Sequence, residues 1–153
     1  LDPARVADVM RDFHDEVLVP LVRADARAEI ARRRQEGCVT LLVSATFEAI
    51  AATAGAYLGV DGVAATRMEL DSQGRYTGKV LGEVVAGAEK PRAAARWADE
   101  HLGPGAWRIA YAYGDHFSDE PLLERADACF AVCPGTTLRQ LAQRRGWAVL
   151  DWE

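Results

Sequence analysis

Two aspartates four positions apart, Asp115 and Asp119, follow an apolar run of this sequence. The run, 109–113, predicts a buried strand, and Gly114 permits a sharp turn where that strand ends. Carboxylate oxygens are ligands that a hard cation such as Mg²⁺ prefers, so the loop predicts a metal site. The alternative is that Asp115 is a turn residue and that Asp119 is only the N-cap of a helix that begins at Glu120.

A serine and a lysine could complete a phosphate site. Ser44 follows an apolar run, 38–43, and Lys90 stands directly before Pro91 at the predicted start of a helix. A hydroxyl, an ammonium group and carboxylates with a metal are the groups that a phosphoryl group needs. Taken singly, Ser44 could be a helix N-cap and Lys90 merely an exposed cation. Taken together with the aspartates, they favour phosphate chemistry.

The elements that must position these residues alternate along the chain. Two helices, about 3–18 and 21–35, precede a strand with few polar residues, 38–43. Such a strand is typical of a parallel sheet, where both of its faces are buried. A helix, a hairpin over about 63–80 and then helix and strand in alternation follow. The sequence therefore predicts an α/β fold with a mostly parallel sheet, whose ligands bind at the carboxyl ends of the strands. The apolar stripe that we expect the first helix to bury consists of Val6, Val9, Met10, Phe13 and Val17.

Length, charge and cysteine content argue against several classes of function. The chain has 153 residues, enough for one domain, and a net charge of -5 argues against nucleic acid as a partner. No apolar run approaches the roughly 20 residues that span a bilayer. Three cysteines, an odd number, favour the reducing cytoplasm, and Cys129 and Cys133 lack the neighbours of a metal site, so we expect them in the core.

Three segments resemble, in order, the motifs of the haloacid dehalogenase superfamily, and within it subfamily IB, the group similar to phosphoserine phosphatase. Residues 41–46 resemble the second motif, a hydrophobic strand that ends in Ser or Thr. Residues 87–90 resemble the third, with its lysine, and residues 114–123 the fourth, an acidic Gly-Asp-x-x-x-Asp loop. The resemblance covers about residues 37–152.

This resemblance implies a Rossmann-like three-layer core over residues 37–153 and, in residues 1–36, the C-terminal part of a helical C1 cap. It also implies a Mg²⁺-dependent phosphatase that acts on a small phosphorylated metabolite.

The resemblance assigns roles to five residues. Asp115 would bind Mg²⁺. Asp119 would not touch the metal but would orient either the metal's water or the lysine. Ser44 and the backbone N–H of Ala45 would bind the phosphoryl group, and Lys90 would pair with the phosphate and the nucleophilic carboxylate. Ser44 and Lys90 are therefore the candidate catalytic residues.

The family's first motif, Asp-x-Asp-Gly-Thr, does not occur among these residues. Its first aspartate is the nucleophile, so we expect the chain to be a fragment that by itself is inactive. The absent strand is expected between the strands at 38–43 and 107–113. Its loss would leave a gap in the sheet that a homodimer could cover. The alternative is a non-catalytic remnant that binds a phosphorylated ligand or a partner protein.

Two further positions depart from the family's pattern. His116 stands where a small residue is usual, and we expect it to face solvent. Cys133-Pro134 replaces the usual Asn-Pro. A receiver domain or a nucleotide-binding domain is the weakest hypothesis, because the chain has neither an early acidic pair nor a glycine fingerprint after its first strand.

Overall fold

The strands of this α/β protein lie in two separate three-stranded sheets. The computed structural model describes residues 1–153, and their contacts divide the chain into two units, Leu1–Val85 and Ala86–Glu153. The first unit holds a mixed sheet and the second an all-parallel one. The predicted α/β class with parallel strands is confirmed.

The first unit begins with α1 (Pro3–Phe13) and α2 (Ala24–Gln35). Asp2 caps α1, since its Oδ1 accepts the N–H of Ala4 at 2.9 Å. The predicted continuation of α1 to residue 18 is a π-helical turn, 14–18, which a 3₁₀ turn follows. Pro20 accounts for the change, because proline cannot donate the next helical hydrogen bond and its ring clashes with the preceding turn.

The apolar stripe of the first helix is not buried, and this prediction was wrong. Val9, Phe13 and Val17 are exposed, and α1 contains no buried residue although it packs against the helix α3 (Glu48–Leu58). The spacing identified an apolar face correctly, but periodicity does not tell what covers that face. The buried residue of this segment is His14, with its ring edge against Tyr57 of α3.

The sheet of the first unit has the order β1-β2-β3. β1 is parallel to β2, and β2 forms the predicted antiparallel hairpin with β3. The three strands are β1 (Leu41–Phe47), β2 (Gly62–Leu70) and β3 (Tyr76–Leu81). The helix α3 lies close to β2 at Gly55, where an added Cβ would stand 2.6 Å from Val63 Cγ2. A glycine is therefore required for this contact.

The second unit alternates helices and strands as predicted. Its elements are α4 (Glu89–Leu102), β4 (Tyr111–Gly114), α5 (Glu120–Leu123), β5 (Ala128–Val132), α6 (Thr136–Arg145) and β6 (Ala148–Leu150). Strands β4, β5 and β6 are parallel and adjacent in that order, and their core is built from Ala112, Leu123, Ala131, Leu138, Leu141 and Ala142. The N-cap residue of α6 is Gly135, and no side chain caps this helix.

Both β1 and β4 are edge strands of their own sheets. The expected absent strand between them stays a prediction. The expected division into a cap, 1–36, and a core, 37–153, stays a prediction. No helix is both long and apolar enough to cross a membrane.

Candidate active site

The aspartate loop follows β4 directly. After Gly114 the chain passes through Asp115 and His116 into a 3₁₀ turn, 117–119, and then into α5. The Asp119 carboxylate does not cap α5. Instead it turns back, and its Oδ2 accepts the backbone N–H groups of Asp115 at 3.2 Å and His116 at 3.3 Å. Asp119 therefore fixes the backbone of the loop. It is the N-cap residue of α5, as the alternative predicted, but its side chain makes no cap hydrogen bond to that helix.

Gly114 is required because the Asp119 side chain covers it. A Cβ added to Gly114 would lie 2.7 Å from the Cβ of Asp119 and 2.9 Å from its Oδ2. The backbone of Gly114 is not left-handed, so the glycine is not needed for the turn that the sequence suggested. It permits a close approach between the end of β4 and the carboxylate.

Lys90 pairs with the other oxygen of the same carboxylate. It is the second residue of α4, and its Nζ lies 2.5 Å from Asp119 Oδ1. Only 15% of the lysine side chain and 8% of the aspartate side chain are exposed. A cation in the first turn opposes the helix dipole, and Asp119 supplies the compensating charge. The structure thus brings together Lys90 and Asp119, which are 29 residues apart in sequence.

Asp115 contributes the free carboxylate of this loop. The residue is exposed, and its backbone N–H, not its side chain, makes the bond to Asp119. No group of three or more His, Cys, Asp or Glu side chains in the chain is arranged to hold a metal ion. A hard oxygen donor such as Asp115 fits Mg²⁺, which proteins often bind through one or two carboxylates together with water and substrate phosphate.

His116 is exposed, as predicted, and it caps the 3₁₀ turn. Its Nδ1 accepts the N–H of Ser118 at 3.2 Å, and its ring centroid lies 4.2 Å from that of Phe117. This capping role was not predicted, although a polar residue three positions before Asp119 is the spacing of a capping box.

Ser44 and Ala45 lie in the first unit, inside β1 rather than after it. The ladder with β2 pairs Ser44 with Ala65 and then Phe47 with Thr66, so Ala45 and Thr46 form a bulge. Ser44 Oγ accepts the N–H of Thr46 at 3.2 Å. The serine is not the N-cap of α3, which is Phe47. That alternative was wrong.

The five predicted site residues fall into two groups. Ser44 and Ala45 belong to the first unit, whereas Lys90, Asp115 and Asp119 belong to the second. A shared phosphate site of all five stays a prediction.

Cys129 lies where we expect it, against a hydrophobic core. Cys129 packs against the core of the second unit and donates its thiol to the carbonyl of Leu123 at 2.9 Å. Burial, followed by the charge of Glu124, raises the pKa of the Cys129 thiol above its ordinary value. The contact with the core agrees with the role that we expect for Cys129.

Comparison with known proteins gives a family match over most of the chain. The model of the haloacid dehalogenase-like hydrolases matches residues 1–124. A histidinol-phosphatase from Neisseria meningitidis serogroup C is 28% identical over 97% of this chain and 67% of its own length. The chain spans about half the length of several other curated relatives that it matches.

Two solved structures share the fold. The crystal structure of a protein of unknown function from Bordetella pertussis Tohama I is 30% identical, with a TM-score of 0.90 over 99% of this chain and 68% of that chain. A substrate-bound phosphoserine phosphatase is 24% identical, with a TM-score of 0.59 over 81% of this chain and 56% of that chain. The second likeness supports the predicted phosphoserine phosphatase-like fold and nothing finer.

Proposed function

The chain belongs to the haloacid dehalogenase-like hydrolase family, and from that membership we propose that it is part of a Mg²⁺-dependent phosphatase for a small phosphorylated metabolite. The observation that carries the proposal is the buried pair between Lys90 and Asp119, next to the free carboxylate of Asp115. The names of two curated relatives, a histidinol-phosphatase and a phosphoserine phosphatase of Mycobacterium tuberculosis that this chain matches over 47% of its length, both support phosphomonoester hydrolysis. They name different substrates, so the proposal extends to the reaction and not to one metabolite.

Lys90 supplies positive charge for the phosphoryl group. Its ammonium group has three donors, and Asp119 Oδ1 engages one of them. The remaining donors can pair with phosphate oxygens and with the attacking carboxylate. Because Asp119 holds the lysine in place, little reorganisation is needed when the substrate binds.

Asp115 is the residue of this chain that would hold Mg²⁺. The ion, when bound, would neutralise charge on the phosphate and align it with the nucleophile. Asp119 is a poorer ligand, because Lys90 and two backbone N–H groups already occupy both of its oxygens. It acts by positioning the lysine and the loop.

Ser44 would donate its hydroxyl proton to a phosphate oxygen. Its Oγ already accepts the N–H of Thr46, which leaves the O–H free to donate. The backbone N–H of Ala45, in the bulge of β1, is the second expected donor. The nucleophilic aspartate is not among these residues, so this chain by itself does not turn over phosphomonoesters.

The coding sequence upstream of Leu1 is the first test. It should encode an Asp-x-Asp-Gly-Thr, and the protein expressed from its own start codon should release inorganic phosphate from phosphomonoesters when Mg²⁺ is present. A protein whose start codon lies at Leu1, and which releases no phosphate, would instead be the non-catalytic remnant.

A matched pair of variants tests the role of the lysine. Lys90→Met in the active protein should lower kcat/KM for every phosphomonoester at least a hundredfold, because a group that stabilises charge in the transition state typically contributes about 10²–10³. Arg92→Met removes another cation from α4, one that is exposed and paired with Glu89, and should change kcat/KM less than threefold. Equal effects of the two substitutions would contradict the assignment of Lys90.

A further inference from the structure

Thr66 is a buried polar residue on β2, the central strand of the first sheet. Only 4% of it is exposed, and its neighbours Ala64 and Ala65 are buried and apolar. A valine would have nearly the same shape at this position, so the hydroxyl needs a reason. That reason lies in two hydrogen bonds, which join β2 to the bulge of β1 and to the segment that follows β3.

The Thr66 hydroxyl has a fixed direction. The N–H of Val85 donates to Thr66 Oγ1 at 3.1 Å, and because an N–H can only donate, the hydroxyl accepts this bond. Thr66 Oγ1 in turn lies 2.7 Å from the carbonyl oxygen of Ala45, which can only accept. The hydroxyl proton therefore points at Ala45.

The carbonyl that Thr66 holds belongs to the bulge of β1. The C=O of Ala45 and the N–H of Thr46 are parts of one planar peptide group, so fixing the first also fixes the second. The N–H of Thr46 is the group that donates to Ser44 Oγ. Three hydrogen bonds thus lead from Val85 through Thr66 and the peptide group to Ser44.

From this chain of contacts we infer that Thr66 is a positioning residue, whose hydroxyl aims the Ser44 hydroxyl at the phosphoryl group. The inference rests on the proposed function for the role of Ser44 in phosphate binding. Each bond polarises the next, so the Ser44 oxygen is held as an acceptor and its proton is directed outward as a donor. Thr66 itself does not touch the substrate.

Amide hydrogen exchange in this chain tests the contacts directly. In the unsubstituted protein the N–H groups of Thr46 and Val85 should both be protected. Thr66→Val should accelerate exchange at both positions at least tenfold, and Thr66→Ser, which keeps the hydroxyl, should restore protection. The control Thr53→Val removes a hydroxyl that donates to the Ala49 carbonyl within α3 and should leave both amides unchanged.

Binding of inorganic phosphate to the protein expressed from its own start codon tests the positioning role. Thr66→Val should weaken phosphate binding at least fivefold, and Thr66→Ser should restore it. In a Ser44→Ala background Thr66→Val should have no further effect on phosphate binding, because its influence passes through Ser44. A purely structural role would give additive losses and would overturn the inference.

Amide hydrogen exchange tests whether Thr66 orders the bulge of β1, and phosphate binding tests the proposed function. If the unsubstituted protein binds no phosphate, the proposed function fails, and the exchange rates still decide whether Thr66 orders the bulge. If Thr66→Val does not fold, the unsubstituted protein and Thr66→Ser remain decisive. Unprotected amides at Thr46 and Val85 in the unsubstituted protein would overturn the positioning role, and so would a Thr66→Ser variant that fails to keep protection.

Discussion

The close approach of Asp119 to Gly114 makes Gly114→Ala a sharp test of the aspartate loop. The new methyl group would lie 2.7 Å from Asp119 Cβ, 2.9 Å from Oδ2 and 3.1 Å from Cγ. Favourable carbon–carbon contacts are about 3.5–4.0 Å, so the side chain or the strand end must move by about 1 Å. Asp119 cannot turn aside freely, because Lys90 and two backbone N–H groups hold it.

The expected loss in the free energy of unfolding is that of whichever of two structural rearrangements costs less. If Asp119 rotates away, Lys90 loses its partner at a buried site, which typically costs about 3–5 kcal/mol. If instead the end of β4 shifts, the cost is that of overpacking a core position by one methyl group, about 1–3 kcal/mol. We therefore expect Gly114→Ala to lower the free energy of unfolding by about 1–3 kcal/mol.

Urea denaturation followed by circular dichroism measures this change. Gly135→Ala is the matched control, because an added Cβ there meets nothing within 4 Å and φ is -66°. It should change the free energy of unfolding by less than about 1 kcal/mol, since a weaker N-cap and a stiffer unfolded chain act in opposite directions.

A double-mutant cycle identifies the cause. Asp119→Gly removes all three atoms that the new methyl group would contact, so in that background Gly114→Ala should be nearly neutral. An equal loss in both backgrounds, or a loss no larger than that of Gly135→Ala, would refute the close approach as the reason for the glycine.

Three further substitutions test single features of the two units. The indole N–H of Trp107 donates to Asp99 at 2.7 Å, and this bond, with one from the Gly105 N–H, lowers the pKa of Asp99. The contribution of Asp99 to stability is therefore complete above the unfolded pKa of about 3.9 and is lost as the pH falls through the lower folded pKa. In Asp99→Asn the free energy of unfolding, measured by urea denaturation, should therefore fall less steeply between about pH 5 and pH 2 than in the unsubstituted protein. His14→Leu should raise the free energy of unfolding by about 1 kcal/mol in the same assay, because the buried Nε2 of His14 has no protein partner; a loss would contradict this. Cys133→Asn should raise it by up to about 1 kcal/mol, because the residue has a left-handed backbone with a φ of +41°, which asparagine adopts more readily; a neutral result would show that the backbone there is not strained.

The sequence was sufficient to locate the loop and the lysine but not to orient them. Gly114, Asp115 and Asp119 were identified because a buried strand that ends at glycine and acidic residues is a local signal. The direction of the Asp119 carboxylate depends on Lys90, 29 residues away, and on a close approach to Gly114. Local capping preferences therefore suggested the wrong partner for Asp119.

The first unit shows the same limit. The predicted strand at 38–43 was placed correctly within a few residues, but β1 continues to Phe47 after Ser44. The polar Ser44 after an apolar run suggested that the strand ends there. In the structure Phe47 still pairs with β2 after a bulge, and the Thr66 hydroxyl binds the carbonyl of Ala45 within that bulge. Such a bond across strands leaves no periodic signal in the sequence.

Asp119 contacts both Lys90 and the backbone of the Asp115 loop, and these contacts explain why a lysine is tolerated in the first turn of α4. A cation in the first turn of α4 costs about 0.3–1 kcal/mol against the helix dipole. The same lysine meets a buried carboxylate whose other oxygen is already fixed by the N–H groups of Asp115 and His116. Because one aspartate holds both the lysine and the backbone of the Asp115 loop, moving either group would disturb the other. The fold therefore sets the position of the Lys90 ammonium group relative to the backbone of the Asp115 loop, and under the proposed function this is the preorganisation that phosphoryl transfer requires.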